Sequence, residues 1–248
     1  MAERIISADK SVVFAADVKP EKFEPVVSEL AGVEGLGGVK TGFEVALGIG
    51  LRTATELVRA ANERLVNVYD HQKAGNDIPE TGKNFARAMR RAGVDAAILF
   101  PFTGPKTQER WTKELQDVGV AVIVGAEMTH EQIRASEQGY VLDAAFMRMY
   151  ANAIKMGVNN FVVPGNKPDR VAEYKDFFDK EIGEGQYSLW APGFISQGGD
   201  VSETGKVAGP NWHAIVGGAI YNAENVHQAA HDLGQKMLQL NQPSPETQ

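Results

Sequence analysis

The chain has 248 residues, 43% of them hydrophobic and 23% charged, with a formal net charge of −7, which suits one soluble domain with a sizeable core. It has no cysteine, which excludes disulfides, thiolate nucleophiles, iron–sulfur clusters and cysteine zinc sites. No basic cluster offers a nucleic-acid footprint, no apolar run reaches the roughly 18 residues of a membrane span, and Met1 to Lys10 lacks a signal peptide's apolar core, so the reading is a cytoplasmic protein with neither nucleic acid nor membrane as partner.

Short β-rich runs alternate with longer helical stretches. The first strand reads Val12 to Asp17, the second, weaker, Gly37 to Lys40, and the third Leu65 to Asp70. A helix follows from Glu80 to Ala92, opened just after Pro79 and closed by Gly93. The fourth strand is Ala96 to Phe100, followed by a helix over Thr107 to Val118 that stops at Gly119. Val120 to Val124 and Asn160 to Val163 are strands five and six. Pro168 to Ile182 is a helix with proline at its start and Gly183 at its end. Tyr187 to Ala191 and His213 to Val216 are strands seven and eight, and Glu224 to Leu240 is the last helix. The strands are apolar and rich in β-branched residues, as expected of parallel strands covered on their faces. Eight β/α units predict a closed (β/α)₈ TIM barrel, with an open doubly wound sheet as the alternative. No linker interrupts the chain, so residues 1–248 read as one barrel domain, with 241–248 a polar, flexible tail.

Active-site residues of such a barrel lie at the C-terminal ends of its strands. Here Asp17, Lys40 and Asp70 end the first three strands, and Lys73 and Asp77 follow closely. Any one of these charges would serve equally well on a solvated salt-bridge rim. Five of alternating sign at one mouth are costly to desolvate, and point to a site that acts on a charged group. His227 and His231, four apart on the last helix, read as an exposed face rather than a metal pair.

The string Val68-Tyr-Asp-His-Gln-Lys-Ala-Gly-Asn-Asp-Ile-Pro-Glu-Thr81 resembles the Asp-x-Lys-x-x-Asp-Ile-Pro signature of the orotidine 5′-phosphate decarboxylase family. The order Asp70, Lys73, Asp77, Ile78, Pro79 is kept, and Thr81 follows. One extra residue stands before the lysine and one after it. Added residues flip a side chain's face in a regular strand, so Lys73 reaches the site only if the segment has bulged or left the strand. Gly75 and Asn76 tolerate the backbone angles this needs. The resemblance continues in order through Val13-Phe-Ala-Ala-Asp17, Val39-Lys40-Thr-Gly, Ala126-Glu-Met-Thr129, Pro192-Gly-Phe-Ile-Ser-Gln-Gly-Gly-Asp200 and Ile215-Val-Gly-Gly-Ala-Ile-Tyr221.

The resemblance implies cofactor-free and metal-free decarboxylation of orotidine 5′-phosphate to uridine 5′-phosphate, in pyrimidine biosynthesis. Lys40, Asp70, Lys73 and Asp77 would form the catalytic array, with Lys73 protonating the ring carbanion. Asp17 would bind the ribose. Ile78, Thr81, Thr129, Pro192, Gln197, Gly198, Gly217 and Gly218 would contact the substrate, with Thr129 at the ring, Gln197 bridging ring and phosphate, and the glycines exposing backbone N–H groups to the phosphate. A homodimer is implied, with Asp77 reaching into the partner's site. One departure stands out: where the family usually carries an arginine in a Val-Gly-Arg string, this chain has Gly218. Two other readings remain open: a magnesium-dependent sugar-phosphate decarboxylase or aldolase of the same superfamily, and a non-catalytic nucleotide-binding barrel.

Overall fold

The computed structural model describes residues 4–71, 76–193, 205 and 207–241. Its eight strands are β1 (Lys10–Ala16), β2 (Leu36–Thr41), β3 (Val66–Asp70), β4 (Ala96–Leu99), β5 (Ala121–Gly125), β6 (Asn160–Val162), β7 (Ser188–Pro192) and β8 (Trp212–Val216). Each pairs in parallel with the next, and β8 closes on β1. The expected TIM barrel is therefore present and the open sheet is excluded. The strand ends differ from the sequence reading by one or two residues; β2 in particular runs to Thr41, so Lys40 is its penultimate residue and not its last.

The outer helices are α1 (Pro20–Ser28), α2 (Leu51–Ala61), α3 (Gly82–Ala92), α4 (Pro105–Asp117), α5 (Asp143–Lys155), α6 (Pro168–Glu181), α7 (Gly218–Tyr221) and α8 (Val226–Leu240). Their buried residues recur at helical spacing. On α4, Gln108, Trp111, Thr112 and Leu115 are buried, and on α6 Val171, Tyr174 and Phe178, as one face of a 3.6-residue period requires. Proline opens α4 and α6, where its missing N–H costs nothing. Gly93 closes α3 in the left-handed conformation, at φ 76°, which glycine adopts without a Cβ clash. None of the described helices is long and apolar enough to cross a membrane.

The period of two along each strand divides the core. On β1, Val12, Phe14 and Ala16 face the helical layer, whereas Val13 and Ala15 point into the barrel. The same inner layer takes Val68, Ile98, Ile123, Val162, Trp190 and Ile215. The barrel is thus filled by stacked side chains, as in barrels whose ligands bind at the mouth.

Candidate active site

The alternation that buries the inner layer continues one step further along each strand and aims the next inward residue at the C-terminal mouth. Ala15 is followed by Asp17, Val68 by Asp70, and Ile123 and Gly125 by Glu127. Lys40 faces inward because its neighbour Val39 faces the helices. Asp17, Lys40, Asp70 and Glu127 accordingly line one cavity of about 530 Å³, above a floor of Ile98, Phe100, Val162 and Ile215. An apolar floor beneath a ring of charges suits a ligand with an apolar or aromatic face and an ionised substituent.

The charge pair at the centre is tightly built. Lys40 Nζ donates to Asp70 Oδ2 at 3.0 Å, and reaches Asp17 Oδ1 at 3.5 Å. Lys40 is 8% exposed and Asp70 4%. Burial alone would lower the lysine's pKa, but the carboxylates of Asp70 and Asp17 outweigh it and hold the group above its ordinary value. The ammonium is therefore kept charged in a site largely closed to water, where its field acts with little screening. Asp17 sits at the rim, with its side chain more than half exposed, free to meet the polar part of a ligand.

A second charged group stands on the β5 side and was missed in the sequence reading. Glu127, 1% exposed, accepts from Arg134 Nε at 2.9 Å and Lys167 Nζ at 3.0 Å on one oxygen, and from Arg134 Nη2 and the Tyr174 hydroxyl on the other. Burial would raise its pKa, but the hydrogen bonds from Arg134, Tyr174 and Lys167 prevail and hold the carboxyl below the usual range. Arg134 also bonds Asp143 at the start of α5. Lys167 and Asn166 donate to the carbonyls of His130 and Thr129. The loops after β5 and β6 are thereby tied together behind the cavity wall. The signal for Glu127 was the strand alternation itself, which sets it level with Asp17 and Asp70.

The expected site residues fall into three groups. Asp17, Lys40, Asp70, Thr129, Pro192, Gly217 and Gly218 all line the cavity. Asp77, Ile78 and Thr81 do not. Asp77 and Ile78 border a separate hollow beside Pro105 and Thr107. That segment is pinned by Thr107 Oγ1 on the Asp77 carbonyl, and by Trp111 Nε1 and Thr81 Oγ1 on the Ile78 carbonyl. Lys73, Gln197 and Gly198 lie outside the described residues. Just before Lys73, the Tyr69 hydroxyl meets the ring of His71; burial, then the Asp70 charge, push that phenol up to about 12. Among the described residues no group of three or more His, Asp or Glu side chains is placed to hold a metal ion.

Residues 10–233 match the model of the orotidine 5′-phosphate decarboxylase / HUMPS family. The chain belongs to this family. It is 31% identical over 199 residues to an orotidine 5′-phosphate decarboxylase of Methanococcoides burtonii, covering 80% of this chain and 84% of the relative. It is 30% identical to that of Methanosarcina mazei, covering 82% and 84%. Among solved structures, the Methanocaldococcus jannaschii orotidine 5′-monophosphate decarboxylase complexed with inhibitor BMP superposes with a TM-score of 0.77 at 22% identity, over 92% of this chain and 98% of that one. At that identity the likeness bears on the fold. Family membership fits the barrel and the ordered charges at its mouth.

Proposed function

We propose that the chain decarboxylates orotidine 5′-phosphate, forming uridine 5′-phosphate and carbon dioxide without a cofactor. The observation that carries the reading is the buried Lys40–Asp70 pair at the cavity centre, in a chain of the orotidine 5′-phosphate decarboxylase / HUMPS family whose relatives of 30% identity and above include orotidine 5′-phosphate decarboxylases. The bond from the ring to its carboxylate breaks, carbon dioxide departs, and the electron pair stays on the ring carbon. A protein without an electron sink must stabilise that charge with fixed electrostatics. Lys73 supplies the ammonium next to the ring carbon, protonates it, and regains a proton from water. Asp70 lies against the departing carboxylate, where repulsion is relieved as carbon dioxide leaves. Lys40 holds Asp70 ionised and in place. Asp17 accepts from the ribose, Thr129 meets the ring, and Pro192 closes over it. Gly217 and Gly218, which line the cavity, offer backbone N–H groups to the phosphate, and Gln197 and Gly198 are assigned to the same group.

The separation of Asp77, Ile78 and Thr81 from the cavity favours a homodimer in which that segment completes the partner's site. Ile78 is 58% exposed, a large apolar side chain suited to such a contact. The test of function is the loss of orotidine 5′-phosphate absorbance with excess chelator, for the wild type and Lys73→Ala. Metal-free turnover that vanishes in the variant is the expected result. No turnover with or without magnesium would overturn the reading. Turnover of a sugar phosphate only when magnesium is added would move the chain to the magnesium-dependent sugar-phosphate enzymes of the same superfamily.

A further inference from the structure

We propose that the Tyr221 hydroxyl and the Asn222 side-chain amide are the phosphate-recognising donors of this cavity, replacing a cation on the loop after β8. The inference rests on reading the cavity as the site of a phosphate ester. The loops after strands seven and eight are the usual phosphate region of this barrel, and Tyr221 and Asn222 line the cavity there, beside Gly217 and Gly218.

Three observations single them out. First, both polar ends border the space a side chain at position 218 would enter: a Cβ on Gly218 would lie 3.2 Å from Asn222 Nδ2 and 3.8 Å from the Tyr221 hydroxyl. The two polar ends converge where the glycine leaves room. Second, the tyrosine is held in place. Its ring packs edge-on against Phe14, with centroids 6.5 Å apart, and a Cβ on Gly217 would come within 3.2 Å of its Cε1. Third, neither the hydroxyl nor the amide is spent on a hydrogen bond to another described residue, while both border the same cavity as Lys40 and Asp70.

Among the described residues of the cavity wall, no cation stands beside Gly217 and Gly218. Among the described lining residues, Lys40 is committed to Asp70 and Asp17. His130 belongs to the loop after β5, three strands away from β8 around the barrel. A hydroxyl and an amide each donate to a phosphate oxygen but neutralise none of its charge. Binding through them is weaker than through a cationic donor such as arginine, and less sensitive to salt.

The experiment compares affinities for uridine 5′-phosphate, uridine and ribose 5-phosphate by calorimetry, in the wild type, Tyr221→Phe, Asn222→Ala, the double variant, and Gly218→Arg combined with Asn222→Ala. Each single change is expected to weaken uridine 5′-phosphate by about 10-fold, the worth of one hydrogen bond to a charged group, and to leave uridine unchanged. The combined arginine variant is expected to recover affinity and to acquire a steep salt dependence that the wild type lacks. An unchanged ratio of uridine 5′-phosphate to uridine affinity in the double variant overturns the proposal. If only ribose 5-phosphate binds, and binds less well in the double variant, the phosphate donors stand and the pyrimidine reading falls. If none of the three ligands binds, both fall.

Discussion

Replacing Glu127 by Gln tests whether the network behind the cavity wall holds the molecule together. The change keeps shape and removes one negative charge. Glu127 is 1% exposed and is engaged by two cations, of which Arg134 is buried and Lys167 is about one-fifth exposed. Lys167 can swing toward water; Arg134 keeps the Asp143 carboxylate at 3.1 Å and the neutral Tyr174 hydroxyl at 2.9 Å. Breaking a buried pair from one side costs roughly 3–5 kcal/mol, and partial relief through Lys167 and Asp143 puts the expected loss near the lower end. For a chain of this size about 3 kcal/mol lowers the melting temperature by roughly 6–12 °C. The assay is urea unfolding at pH 7, repeated at lower pH. Because hydrogen bonding holds the Glu127 carboxyl below its ordinary value, its stabilisation is fully present above the unfolded-state value, near 4.3, and is lost as pH falls through the folded one. The gap between wild type and variant should thus be constant from pH 7 to 5, and close only below that unfolded-state value. A loss under about 1 kcal/mol at pH 7, or a gap that narrows already between pH 7 and 5.5, would refute the reasoning.

Lys40→Ala should lower kcat at least about 100-fold, the scale of losing one preorganised electrostatic group, while the variant remains folded by circular dichroism; activity within 10-fold of wild type would remove Lys40 from the mechanism. His213 is fully buried against Ser11, and burial depresses its pKa to about 3. The unfolded chain therefore binds the extra proton first, and stability should fall by about 1.4 kcal/mol per pH unit from pH 6.5 downward; His213→Gln should flatten that slope, as read from urea midpoints. On the proposed homodimer, Ile78→Asp should shift the protein to monomer in sedimentation and reduce turnover in parallel; a wild type that sediments as a monomer, or a fully active monomeric variant, would refute the shared site. Trp111→Phe removes one of the two side-chain donors to the Ile78 carbonyl, leaving Thr81, and should cost about 1 kcal/mol, read as a lower midpoint.

Much of the architecture was legible because it depends on short-range pattern. Apolar runs such as Ala96 to Phe100 and Val120 to Val124 are strands wherever they are covered on both faces, and proline and glycine at the ends of α4 and α6 act through the local backbone. The helices α1, α2 and α5 had no bounds assigned from sequence. α1 carries Pro25 inside it, and α2 follows an irregular π-turn over Ala46–Gly50, so their local signals are mixed. In the site, Asp17, Lys40 and Asp70 were found because strand ends face the mouth. Glu127 obeys the same rule but sits two residues beyond the end of β5, where the strand pattern gives way to a loop. Its partners Arg134, Lys167 and Tyr174 are 7, 40 and 47 residues away in sequence, and no spacing rule connects them.

The sequence alone determined the eight-fold repeat, the inward alternation and the order of charges along the chain, because each follows from periodicity and from residue types at fixed offsets. Only the tertiary structure decided which charges meet. Barrel closure brings Lys40 onto Asp70 across adjacent strands, sets Asp77 apart from both, and lets Tyr221 and Asn222 border the space above Gly218. Those distances depend on the register between strands and on how the helices pack outside them, which is a property of the closed sheet and of no single segment.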